Sequence, residues 1–275
     1  MEAAGISSDV SSAHAAHHSR NDSPFPALEA EKGSVSARVG DRLSSVHPVL
    51  VFLGGIVLCY LALAAVTLAV GLVFTETILS LGGLEEADSG TIEWLVDQRT
   101  PTLNDVSFFG SEIAGGIVLP ILVVLLAIGF AIRRHWRAAV FALFCVALES
   151  ATYRTTVFFV DRERPDVPRL DDLPPDASFP SGHVAASIAV YGGLALLITS
   201  RLTSGVHRAI VWSIAVVIPL IVGVSRMYRG MHHPLDTLAG VLVGIAALAL
   251  VVFVARVTGV VARARDRDKA VASRR

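Results

Sequence analysis

The chain has 275 residues, 53% of them hydrophobic and only 17% charged, and its mean hydropathy is +0.62. That balance excludes an ordinary water-soluble domain and points to a membrane protein. The formal net charge of −1 hides a strong asymmetry along the chain. The two cysteines, Cys59 and Cys145, both fall inside apolar runs, which argues against a disulfide and leaves no pattern for a zinc knuckle.

Residues 1–45 form a polar tail rich in Ser, Ala and His with no sustained period, expected to be a disordered cytoplasmic segment. It has no short apolar region followed by a cleavage site, so it does not read as a signal peptide. His14, His17 and His18 lack a rigid frame and are read as incidental, not as metal ligands.

Six apolar runs follow, at residues 49–74, 113–132, 138–160, 184–200, 209–224 and 235–254. A crossing helix needs about 20 residues, with a range near 17–25, which puts the fourth and fifth runs at the short end. The second run contains Pro120, a kink site, and the third carries Glu149 and Arg154. Arg133, Arg134 and Arg137 in the second connection, and Arg201 and Arg208 in the fourth, share one side with the basic C-terminal tail. The first connection has Arg99 as its single basic residue among acids that include Glu85, Glu86, Asp88 and Asp97. The positive-inside rule then makes both termini cytoplasmic and turns the first, third and fifth connections outwards. The expected layout is all-α: a six-helix membrane bundle over residues 46–256, with a basic cytoplasmic tail at 257–275.

Two outer connections break that charge rule. Arg162, Arg164 and Arg169 lie in the third, Arg226 and Arg229 in the fifth. Positive charge there calls for a local reason, either a bound anion or anchoring to lipid phosphates. The same connections carry three motifs: "RERP" at 162–165, "PSGH" at 180–183 and "SRMYRGMHHPLD" at 225–236. Ser181 can cap a helix that starts near Gly182, whose free N–H groups then face outwards as an anion site. Gly182 permits close approach of an oxyanion, and Arg164 and Arg226 offer forks that match phosphate oxygens. Pro234 suits the first turn of the last helix, which puts Asp236 in that turn and His232 just before it. A carboxylate there can take the proton on one nitrogen of His232 and leave the other as a nucleophilic lone pair. His183 comes from another helix and can protonate a leaving oxygen. The spacing fits no metal motif, and two arginines would repel a cation, so neither a metal nor a cofactor is expected. His233 is read as a packing residue at the helix entry.

The order R-P, P-S-G-H and S-R-x5-H-x3-D resembles the motifs of the type 2 phosphatidic acid phosphatase (PAP2) superfamily. Its members are integral membrane lipid phosphatases, with vanadium haloperoxidases and soluble acid phosphatases as distant relatives. The motifs lie between Val157 and Asp236, and the layout of apolar runs extends the likeness over about residues 48–256. The resemblance implies that His232 forms a phosphohistidine, that Asp236 orients it, and that His183 is the general acid and then the base for water. It implies that Arg164, Arg226, Ser181 and the Gly182 amide hold the phosphoryl oxygens. The family's first motif opens with Lys seven residues before the Arg of R-P, where this chain has Val157. Arg154, one helical turn deeper, can snorkel towards that place, pair with Glu149, or anchor to lipid head groups.

The expected activity is a metal-independent phosphatase of the plasma membrane, acting at the outer face on a lipid phosphate in the bilayer. Polyprenyl diphosphate, phosphatidate and phosphatidylglycerol phosphate are the candidate substrates, with a leaning towards the first because an outward site suits carrier recycling. A phosphotransferase using the same phosphohistidine, and a non-catalytic lipid-phosphate binding or transport protein, are the alternatives. No nucleic-acid partner is expected.

Overall fold

The computed structural model describes residues 23–79, 83–172 and 177–274. His14, His17 and His18 lie outside the described residues. The described chain is helical: α1 (Val35–Arg42), α2 (Pro48–Val73), α3 (Leu84–Asp97), α4 (Pro101–Glu112), α5 (Val118–Ile132), α6 (Trp136–Phe159), α7 (Gly182–Thr199), α8 (Gly205–Tyr228) and α9 (Pro234–Ala272). Starts follow local chemistry. Pro48, Pro101 and Pro234 occupy first-turn positions, where a missing N–H leaves nothing unpaired. Ser34, Thr100 and Ser204 accept the capping bond ahead of α1, α4 and α8.

Among the described residues, five helices are long and apolar enough to cross a membrane: α2, prolonged by a π-turn to Thr77, together with α6, α7, α8 and α9. Leu58, Leu61, Leu125, Phe158, Leu220 and Leu242 on the outside of the bundle are all exposed. A belt of that kind suits lipid and not water. Inside, Phe141, Cys145 and Leu148 of α6 meet Ala189 and Leu197 of α7 and Ala247 and Val251 of α9.

Three sequence expectations change here. The second apolar run does not form one long helix. Gly115 and Gly116 interrupt it, α4 ends at Glu112, and α5 has 15 residues, about 22 Å at the helical rise against a hydrocarbon core of about 30 Å. The C-terminal stretch is not a separate tail, because α9 continues to Ala272 and buries Val257 and Val261 against Val51. The described part of the N-terminal tail is folded as well. Leu28 is 1% exposed, Glu29 is bound by both Arg137 and Arg263, and the Arg256 Nε donates to the Ala27 carbonyl at 2.9 Å.

These contacts define two ends of the bundle. At the end opposite the motifs, Phe25 packs edge-on against Phe130 and His135, with ring centroids 5.5 and 5.3 Å apart. At the motif end, a Cβ on Gly71 would lie 2.8 Å from Val160, so only glycine lets α2 close on the end of α6. α4 belongs to the motif end through Ser111, which touches Arg226, while His135 belongs to the other. α5 therefore carries the chain from one end of the bundle to the other.

Candidate active site

His232 stands between α8 and α9 and is 2% exposed. Its Nδ1 lies 2.8 Å from the main-chain carbonyl of Ser178. A carbonyl oxygen can only accept, so Nδ1 carries the proton and Nε2 keeps its lone pair. Burial, then the nearby Arg226, push the imidazole pKa well below its ordinary value and keep the ring neutral. His183, Arg164 and Arg226 all lie within electrostatic reach of this ring, so the three motifs meet as the sequence implied.

Asp236 sits in the first turn of α9 and lies within electrostatic reach of His232, but among the described residues it makes no hydrogen bond to that ring, where the sequence predicts one. It accepts from the Ser178 hydroxyl, from Arg162 and, at 2.9 Å, from the backbone N–H of His233. His233 is the N-cap of α9 and completes a reciprocal capping box with Asp236. The carboxylate thus acts on His232 through Ser178. It fixes the hydroxyl, Arg162 accepts the Ser178 N–H on its carbonyl at 2.7 Å, and the Ser178 carbonyl is left aimed at Nδ1. Arg162 also binds Asp88 of α3, whose other oxygen accepts the Leu235 N–H at 3.0 Å.

The phosphate-binding candidates surround this pair. Ser181 precedes α7 at the N-cap position, yet its hydroxyl makes no capping bond and is buried without a hydrogen-bond partner among the described residues. Its own N–H donates to the Asp236 carbonyl at 2.9 Å, which ties the PSGH turn to α9. Gly240 makes that approach possible, since a Cβ there would fall 2.5 Å from the Ser181 carbonyl. Arg226 is 2% exposed and donates to the Ser111 hydroxyl at 3.1 Å and to Asp171 at 2.8 Å. Arg164 donates to the Met231 carbonyl at 2.7 Å, one residue before the candidate nucleophile.

Arg154 lines a cavity that Gly182 and His183 also line. It is exposed on α6 and, among the described residues, forms no ion pair with Glu149, so that reading of the two charges is set aside. Sequence reasoning missed Ser178, Asp88 and Asp171. Their partners lie far away along the chain, and the clue available was the buried-cation demand of Arg162 and Arg229. Among the described residues, no three His, Cys, Asp or Glu side chains form a group that could hold a metal ion.

Residues 138–258 match the family model described as the PAP2 superfamily. Over 171 residues the chain is 30% identical to phosphatidylglycerophosphatase B of Bacillus subtilis, an alignment that takes in 61% of this chain and 83% of that protein. Over 75 residues it is 39% identical to the undecaprenyl-diphosphatase of Sulfolobus acidocaldarius, covering 27% of this chain and 32% of the relative. The crystal structure of a transmembrane PAP2-type phosphatidylglycerolphosphate phosphatase from Bacillus subtilis superposes with a TM-score of 0.59 at 28% identity, covering 74% of this chain and 93% of that one.

Proposed function

Because the chain belongs to the PAP2 superfamily, we propose that this multi-pass membrane phosphatase hydrolyses a lipid phosphate at the outer leaflet through a phosphohistidine on His232. The bond between His232 Nδ1 and the Ser178 carbonyl carries the reading, because it leaves Nε2 as a buried, neutral nucleophile beside two arginines. In the first half-reaction Nε2 attacks phosphorus, the bond from phosphorus to the lipid oxygen breaks, and His183 gives that oxygen its proton. Arg164, Arg226, the Ser181 hydroxyl and the Gly182 N–H hold the remaining oxygens. In the second, His183 takes a proton from water, the water oxygen attacks phosphorus, and phosphate leaves with the Nε2 lone pair restored.

Phosphatidylglycerol phosphate ranks first among substrates, since the more extensive likeness is to a phosphatase named for it. Polyprenyl diphosphate ranks second on the shorter likeness. The reading includes six crossings, with α5 as the short one, and places both termini in the cytoplasm with the motif end outside. A pulse of radiolabelled lipid phosphate, quenched in alkali, should trap acid-labile label on the wild-type chain and none on His232→Ala. That variant should lose turnover by about 10³-fold or more. Near-normal turnover in His232→Ala would end the reading.

A further inference from the structure

His183 and Gly182 form one wall of a cavity of about 190 Å³. The facing wall is a single stripe of α6, in which Val146, Glu149, Ser150, Tyr153 and Arg154 recur at helical spacing. The break at Gly115 and Gly116 also lines it. Glu149 is 1% exposed. Its Oε2 accepts from the Ser150 hydroxyl at 3.1 Å, while Oε1 is buried with no hydrogen-bond partner among the described residues. An orphaned buried oxygen is costly, and packing of α6 gains nothing from it. A carboxyl in the hydrocarbon region that faces a cavity is, by default, there for what enters the cavity. The proposed function uses neither Glu149 nor this space.

We propose that this cavity receives the leaving alcohol, and that Glu149 selects an alcohol with a free hydroxyl close to its phosphate ester by hydrogen-bonding that hydroxyl at Oε1. The inference rests on the role given to His183 above. If His183 protonates the leaving oxygen, that oxygen lies at its ring, and the atoms attached to it extend into space that His183 itself lines. A hydroxyl there satisfies Oε1. A polyprenyl diphosphate carries no free alcohol hydroxyl to offer it. Arg154, at the exposed edge of the stripe, suits an anionic linkage further along the alcohol. The substrate class is thus a phosphate monoester of a lipid-borne polyol.

The test compares phosphate release from phosphatidylglycerol phosphate with release from an analogue whose central glycerol carbon lacks its hydroxyl, using the full chain in detergent micelles. Wild type should show a kcat/KM about 10–100-fold lower on the deoxy analogue. Glu149→Met keeps the bulk and removes the hydrogen bond. It should bring the natural lipid down to the deoxy rate and leave the deoxy rate unchanged. Glu149→Gln, with a carbonyl that still accepts, should keep part of the discrimination. Equal wild-type values on the two lipids would overturn the subsite while leaving the phosphatase reading intact. Full discrimination in Glu149→Met would overturn the role of Glu149. No release from either lipid by folded wild type, with release from a polyprenyl diphosphate, would overturn the polyol class and return the substrate ranking to the diphosphate.

Discussion

The proton on His232 is placed by a main-chain carbonyl, which no side-chain substitution removes directly. Asp236 influences the ring through Ser178 and through the turn that Arg162 helps to hold. In a triad where the carboxylate itself bonds the imidazole, converting it to an amide costs about 10⁴-fold in kcat by stabilising the wrong tautomer. Here Asp236→Asn leaves the carbonyl in place, so we expect a smaller loss, about 10–100-fold in kcat, with little change in KM. A second expectation concerns acidity. Burial and Arg226 hold the His232 pKa well below the ordinary imidazole value of about 6.5. The nucleophile should therefore remain neutral as pH falls through that value, and the acid limb of the kcat/KM profile should lie below it. Stability runs the other way. The unfolded imidazole takes up a proton below about pH 6.5 and the folded one does not, so His232 contributes a loss of stability as pH falls from there. Thermal melts at pH 7 and pH 5 should show the drop, smaller in His232→Ala. At this scale the sequence exposed His232, His183, Arg164 and Arg226, because their spacing is local to three short motifs. Ser178 was not legible, because nothing in its own neighbourhood marks its carbonyl as the ring's partner.

Helices in this bundle are joined at the motif end by charges that no helix carries alone. Asp88 of α3 links Arg162 to the first turn of α9 by binding the guanidinium with one oxygen and the Leu235 N–H with the other. Both partners of the ion pair are almost fully buried. Removing Asp88 leaves Arg162 held by Asp236 alone and takes the acceptor from the Leu235 N–H, at a cost on the order of 1–3 kcal/mol. Asp88→Ala should lower the unfolding midpoint in detergent and reduce activity in the same preparation, while Asp97→Ala on the same helix should do neither. The long apolar runs made the five membrane-length helices legible, whereas the break at Gly115 and Gly116 that shortens α5 was not read from the sequence, which marked Pro120 inside α5 instead. α1 was not legible. Its buried positions are the small residues Ser36 and Gly40, and its apolar stripe is the short pair Val39 and Leu43 packed against Val257 and Val261, too brief to stand out within a polar tail.

Across the whole molecule, the basic residues sort by end. Arg137, Arg256 and Arg263 gather around the N-terminal segment at one end, and Arg162, Arg164, Arg226 and Arg229 gather around the motifs at the other. With the motif end outwards, as proposed, only the first group would follow the positive-inside rule, and the second is committed to acids and main-chain carbonyls of the site. A cysteine introduced at Asp172 should react with a membrane-impermeant maleimide in intact cells, and one at Thr203 should react only after permeabilisation. The reverse pattern would put the site, and its pool of lipid, on the cytoplasmic side. The division of the chain into body and tails was the least legible feature at this scale, because docking of the N-terminal segment depends on Glu29 meeting arginines from two remote helices.

Asp171 belongs to this larger charge pattern. It bonds Arg226 at 2.8 Å and the Nε of Arg229 at 2.7 Å, so Arg226 already holds an anion. If Arg226 holds the phosphoryl group as proposed, the substrate must share or displace a tethered carboxylate, and Arg229 gives that carboxylate somewhere to stay. On that reading the chain carries its own competitor for the guanidinium, one that weakens the grip on substrate and product alike.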